Sequence, residues 1–164
     1  MLKKNTIQII SPARLHFGFL EINNNQSDNL LGGIGLSIDK FHTKITMKKN
    51  AKIKVKGKSL NKASLLLNTF CRKREIKPNF FLNIEKSSPQ HIGLGSGTQL
   101  ALSIGKAISD LNNLNLNIEK IGKILNRNYR SNVGLINFKY GGFLIDLKIK
   151  NKFFTSIDKV FFPE

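Results

Sequence analysis

Hydrophobic and polar positions alternate with period two through much of the first half of the chain. Residues 6–10 are rich in β-branched side chains, and residues 14–22 alternate Leu15, Phe17 and Phe19 against His16, Gly18 and Leu20, with Ser11-Pro12 between the two runs. This pattern predicts two early strands, with His16 on the face opposite Leu15 and Phe17. A polar, Asn-rich loop follows at 23–29, and Gly32-Gly33 then leads into apolar residues 34–38, which read as another strand. Residues 43–47 and 52–56 alternate again, joined by the turn-like Lys49-Asn50, and expose one lysine-bearing, solvated face.

The period then changes to that of a helix. Within residues 61–74, Leu65, Leu66, Leu67, Phe70 and Cys71 recur at helical spacing among Ser, Asn and Lys, as expected of an amphipathic helix lying on a sheet. Residues 79–85 read as a strand. After Gly97, Leu100, Ile104, Ala107, Ile108 and Leu111 stand at i, i+4, i+7, i+8 and i+11, the clearest helical stripe in the chain. Residues 118–125 form a shorter helical pattern with Ile121 and Leu125 on one face, and Gly141-Gly142 opens a strand at 143–149 that contains Asp146. Strands and helices in this arrangement predict an α+β fold, a two-layer sandwich in a single domain covering residues 1–164. No linker, repeat or low-complexity tract interrupts it.

Composition narrows the class. A chain of 164 residues with 40% hydrophobic content can bury a core of ordinary size. Cys71 is the single cysteine, which rules out an intramolecular disulfide or a cysteine-based zinc site and fits a cytoplasmic location. The basic start meets Gln8, Pro12 and Arg14 before any apolar core develops, so neither a signal peptide nor a membrane span is expected. Lys plus Arg number 27 against 10 for Asp plus Glu, a net charge of +17. Such an excess favours anionic ligands. The lysines are scattered, however, and abundant Lys, Asn and Ile together are what an AT-rich coding sequence produces.

The segment from 91 to 99, His-Ile-Gly-Leu-Gly-Ser-Gly-Thr-Gln, lies directly between a predicted strand and a predicted helix. Gly93, Gly95 and Gly97 allow positive φ and close backbone approach, and the start of the helix offers unpaired N–H groups with partial positive charge. Phosphate suits such a site. Ser96 and Thr98 either add hydroxyl donors or simply cap the helix. The spacing is neither Rossmann nor Walker type, since no Lys follows the last glycine as Gly-Lys-Ser/Thr requires and the loop is not in the first βαβ unit.

Two separated segments, Pro12-Ala13-Arg14 and Gly93-Leu94-Gly95-Ser96, resemble in order and spacing the Pro-x-Arg and Gly-Leu-Gly-Ser-Ser motifs of the GHMP superfamily. The resemblance is nearer to one branch, the β-ribofuranosylaminobenzene 5'-phosphate synthases (beta-RFAP synthases) of tetrahydromethanopterin biosynthesis. It is carried by residues 11–18, by Gly32-Gly-Ile-Gly35, by 91–99, by Arg130-Ser131, and by Gly141-Gly-Phe143 with Asp146. It implies a fold of the ribosomal protein S5 domain 2 type, as in the GHMP kinase N-terminal domain. It also implies condensation of phosphoribosyl pyrophosphate with a hydroxy- or aminobenzoate, losing pyrophosphate and carbon dioxide, with Mg2+ accompanying the phosphates. On this resemblance Gly93, Leu94, Gly95, Ser96, Gly97 and Thr98 cradle the phosphates. Arg14, Arg127 and Arg130 supply guanidinium groups, which grip phosphate bidentately, and His16 joins them. No catalytic residue or metal ligand is assigned.

Departures from the motifs weigh between alternatives. Superfamily kinases carry a second Ser where Gly97 stands and a later Asp that residues 130–134 lack, which disfavours an ATP-dependent small-molecule kinase as the second reading. A nucleic-acid or partner-binding module is the third, and the dispersed lysines and core-like spacing of the phenylalanines argue against nucleic acid. The family's usual carboxy-terminal domain is expected to be absent, so that a second copy or a separate domain would complete the cleft.

Overall fold

The computed structural model describes residues 5–21, 31–89, 92–127, 132–149 and 152–156. Its strands, in chain order, are β1 (Thr6–Glu21), β2 (Leu31–Lys49), β3 (Lys54–Gly57), β4 (Phe80–Lys86), β5 (Phe143–Ile149) and β6 (Lys152–Ser156). The helices are α1 (Leu60–Lys73), α2 (Ser96–Leu111), α3 (Ile118–Ile124) and α4 (Val133–Tyr140). All the strands join one sheet in the order β3-β4-β2-β5-β6, with β1 paired to the remaining edge of β2. The mixed α+β class expected from the pattern is the one found.

The long β2 organises this sheet. Its second half pairs antiparallel with β4, from Lys44 opposite Lys86 to Lys49 opposite Phe80. Its first half pairs with β5 through Gly33–Leu36. The two pairs of short strands expected at 6–22 and at 34–47 are single continuous strands, because β1 and β2 pair along almost their whole lengths. Ser11-Pro12 does not end β1. It is absorbed as an irregularity in the β1–β2 ladder between Ser11 and Ala13. The turn at Lys49-Asn50 does not close a hairpin either. β3 runs parallel to β4, and α1 forms the crossover between them.

The helices cover one face. Ile7, Ile45, Met47, Leu82 and Ile84 from the sheet meet Leu67 and Phe70 of α1, Leu100, Ile104 and Ile108 of α2, and Ile121 of α3 in one buried cluster. The opposite face is wetter: Lys48 and Lys54 reach over the Phe81 ring at 5.6 and 6.0 Å. Two elements have no counterpart in the sequence reading, α4 and β6. Val133, Gly134, Leu135, Ile136 and Asn137 are all buried, so α4 has no polar side to set up a helical period. α4 sits against β1, β2 and β5, held by Asn137 Nδ2 donating to Pro12 O at 3.3 Å and by Ser37 Oγ donating to Asn137 Oδ1 at 2.5 Å.

Candidate functional site

The glycine loop leads into α2 without a side-chain cap. Gly95 is the N-cap residue in the left-handed region (φ 68, ψ 16), and its carbonyl accepts from Thr98 N–H at 3.0 Å and Gln99 N–H at 3.1 Å. Neither Ser96 nor Thr98 closes the helix end, so capping does not account for these hydroxyls. The first N–H groups of the helix, on Ser96 and Gly97, have no carbonyl a turn back to bind and lie at the positive end of the helix dipole. A Cβ added at Gly97 would lie 2.9 Å from Lys62 Nζ, so a half-buried ammonium from α1 reaches this end of the loop. Lys62 was not distinguishable by sequence from the other lysines.

Arg14 meets the same loop from β1. Its N–H donates to Leu94 O at 3.1 Å, tying loop to strand. Its side chain lies against Gly95: a Cβ there would fall 2.5 Å from Nε and 2.9 Å from Cγ. On the other side, a Cβ at Gly134 of α4 would lie 3.4 Å from Arg14 Cζ and 2.9 Å from Thr98 Cγ2. Two glycines thus frame the guanidinium, and Gln99 Nε2 holds the second of them by donating to Gly134 O at 3.0 Å. Among the described residues Arg14 Nε and Nη1 are buried without a hydrogen-bond partner, and burial lowers the proton affinity of the group. A buried cation with open donors is costly, and an oxyanion is the natural remedy.

His16 stands two residues along β1 from Arg14. It is paired with Gly35, and Phe19 is paired with Gly33. Both glycines face α4, since Cβ atoms there would meet Val133 Cγ1 at 2.5 Å and Val133 Cγ2 at 3.0 Å. Directly paired residues share a face, so His16 and Phe19 both turn toward α4. A Cβ at Gly33 would also lie 3.1 Å from His16 Nε2. Burial lowers the imidazole pKa below its usual value, and the Arg14 charge pushes it the same way. Phe19 corrects the expected alternation. A bulge between His16 and Gly18 takes up Phe17 as an extra residue and swings Phe19 onto the side of His16.

Asp146 closes the row beyond Gly33. It is fully buried, and its Oδ2 accepts from Asn132 N–H at 3.0 Å at the start of α4. Arg127 lies past the end of α3, where its N–H donates to Gly122 O at 2.8 Å. Its Nε is buried without a hydrogen bond, and no contact among the described residues brings it to Arg14 or the loop. Arg130, Ser131 and His91 lie outside the described residues. A separate cavity of about 320 Å³, lined by Leu65, Asn68, Thr69, Cys71, Arg72, Ile76 and Pro78, contains none of the predicted site residues.

Comparison with known proteins bears on the family and the fold. Residues 60–137 match the family model described as the GHMP kinases N terminal domain. Solved structures with this fold include a putative sugar kinase from Campylobacter jejuni (TM-score 0.71, 16% identity, 95% of this chain and 57% of that one). Another is the Methanococcus jannaschii mevalonate kinase (TM-score 0.62, 18% identity, 94% and 55%). At these identities the likeness concerns the fold. Among curated proteins, the beta-ribofuranosylphenol 5'-phosphate synthase of Methanocaldococcus jannaschii is 34% identical over 151 residues, covering 84% of this chain and 46% of the relative. That of Archaeoglobus fulgidus is 30% identical over 146 residues, covering 85% and 44%. The chain therefore spans less than half the length of these relatives. No helix among the described residues is long and apolar enough to cross a membrane.

Proposed function

We propose that this GHMP domain is the phosphate-gripping part of a ribosyl-transferring synthase that joins phosphoribosyl pyrophosphate to a hydroxybenzoate. The observation that carries the reading is the Arg14 guanidinium, buried between Gly95 and Gly134 with Nε and Nη1 unpartnered, beside an uncapped helix N-terminus. The curated relatives support the substrate class, because their name describes a product with a phenol ring and a 5'-phosphate on one ribose. That name favours the hydroxy over the amino acceptor.

In this reading, breaking the bond from the ribosyl carbon to pyrophosphate leaves an oxocarbenium-like centre and a highly charged leaving group. Arg14, the first N–H groups of α2 and Lys62 neutralise the departing oxygens. The ring carbon that bears the carboxylate attacks the ribosyl carbon, and the carbon–carboxylate bond then breaks, releasing carbon dioxide and returning its electron pair to the ring. A magnesium ion held by the pyrophosphate oxygens would supply further neutralisation of the leaving group. Among the described residues no group of three His, Cys, Asp or Glu stands ready to hold a metal. The other half of the cleft would come from sequence corresponding to the rest of the relatives, as a further domain or a separate chain.

Calorimetric titration with phosphoribosyl pyrophosphate and, separately, ATP, each with magnesium, tests this reading on the wild-type chain and on Arg14→Ala. Preferential binding of phosphoribosyl pyrophosphate that is lost in the variant is the expected result. Preferential ATP binding would transfer the reading to a kinase, and binding that survives Arg14→Ala would remove the guanidinium from the site.

A further inference from the structure

The bulge in β1 has placed an aromatic ring where strict alternation would not. Phe19 is 52% exposed, although it turns toward the helix-bearing face of the sheet. Its ring centroid lies 4.8 Å from that of His16, with the planes tilted by 58°. Gly33, opposite Phe19, and Gly35, opposite His16, carry no side chains, which lets the imidazole lie close to β2 beside Val133. Arg14, His16 and Phe19 therefore form a short row along one strand, graded from a buried cation through a weakly basic imidazole to a half-exposed apolar ring.

From this row we infer that Phe19, backed by the His16 ring, is the wall on which the aryl co-substrate lies, while Arg14 and the glycine loop hold the phosphates. The inference deepens the phosphoribosyl reading and rests on it for the identity of the aryl group. A phenylalanine exposed at 52%, on the same strand face as Arg14 with His16 between them, fits a ligand that is anionic toward Arg14, whose Nε and Nη1 are buried without a partner among the described residues, and flat and apolar at the other end. Offset or edge-to-face contact with a benzoate ring recovers the apolar area that Phe19 leaves in water. The bulge gives the strand this function: without the extra residue, Phe19 would turn to the opposite face and the row would end at His16.

The test uses the full chain and two separable probes, inorganic pyrophosphate and 4-hydroxybenzoate, with cyclohexanecarboxylate as an acid that lacks a flat ring. Ligand-observed NMR gives the affinity for each acid and calorimetry the affinity for pyrophosphate, on wild type, Phe19→Ala, Phe19→Tyr and Arg14→Ala. Phe19→Ala is expected to weaken 4-hydroxybenzoate roughly tenfold. It should leave pyrophosphate binding within twofold and erase the preference over cyclohexanecarboxylate. Phe19→Tyr should restore the wild-type pattern, and Arg14→Ala should lose pyrophosphate. Unchanged 4-hydroxybenzoate affinity in Phe19→Ala, or equal losses of both probes, overturns the inference. Wild-type binding of pyrophosphate without 4-hydroxybenzoate overturns it while leaving the phosphate reading standing. Binding of 4-hydroxybenzoate through Phe19 without pyrophosphate sinks the phosphate reading instead, and binding of neither sinks both.

Discussion

Gly95→Ala, measured beside Gly93→Ala, separates the shape of the glycine loop from its hold on Arg14. Both residues have left-handed φ, +68 for Gly95 and +81 for Gly93. An alanine there costs about 1–2 kcal/mol from backbone sterics alone. For a chain of this size that lowers Tm by about 2–8 °C. The two sites differ in what the new methyl group meets. At Gly93 nothing lies within 4 Å, whereas at Gly95 the methyl would fall 2.5 Å from Arg14 Nε, 2.9 Å from Cγ and 3.1 Å from Cδ. Arg14 must then leave its place between Gly95 and Gly134. Losing one charge-assisted hydrogen bond to an oxyanion costs about 1.5–3 kcal/mol, or roughly ten- to a hundredfold in Kd. Thermal unfolding and calorimetric titration with pyrophosphate at low ionic strength read the two effects separately. Gly93→Ala should lose stability and little affinity, and Gly95→Ala should lose both. Equal pyrophosphate affinity in the two variants would refute the placement of Arg14 as the anion-binding group.

His16 in the free chain should titrate below 6.5, and Arg14→Ala should move its NMR-measured pKa back toward that value, because one of the two causes of the depression is removed. The folded state holds that proton less tightly than the unfolded chain. The contribution of His16 to stability is therefore intact above about 6.5 and erodes as pH falls below it. His16→Gln should flatten that part of the stability profile, and a native pKa at or above 6.5 would contradict the reading. Gly35→Ala should destabilise the fold by about 1–3 kcal/mol, since its methyl would lie 2.5 Å from Val133 Cγ1. Adding Val133→Ala should recover part of that loss, and strict additivity in the denaturant-measured cycle would mean that α4 does not press on β2 there. Burial pushes the Cys71 thiol up to about 11. Iodoacetamide at pH 8 should leave it unmodified in the native chain and label it once the chain is unfolded, and rapid native labelling would contradict its burial in the core.

What could be read from the sequence depended on whether apolar and polar residues recur with a local period. α2 shows its period although most of it is buried, because Leu100, Ile104, Ala107, Ile108 and Leu111 recur at helical spacing among Ser103, Lys106, Ser109 and Asp110, and its start is fixed by the glycines before it. α4 has no such contrast. Five of its residues in succession are buried, and one of them, Asn137, is polar because it bonds to Ser37 and Pro12 across 100 and 125 positions of sequence. No local pattern carries that information. Lys62 was equally hidden, since its position beside Gly97 follows from how α1 crosses the loop, while its chemistry is that of any of the other cations. Arg14 could be singled out only through its place in a recognisable motif. Phe19 shows the limit most directly: alternation predicts its face correctly only if the strand pairing stays regular, and a bulge is a property of two strands together. One unpaired residue at Phe17 reverses the side of everything beyond it. Residue-by-residue patterning was therefore least reliable on the stretch of β1 where His16 and Phe19 come together, and there the pairing register carries the functional argument.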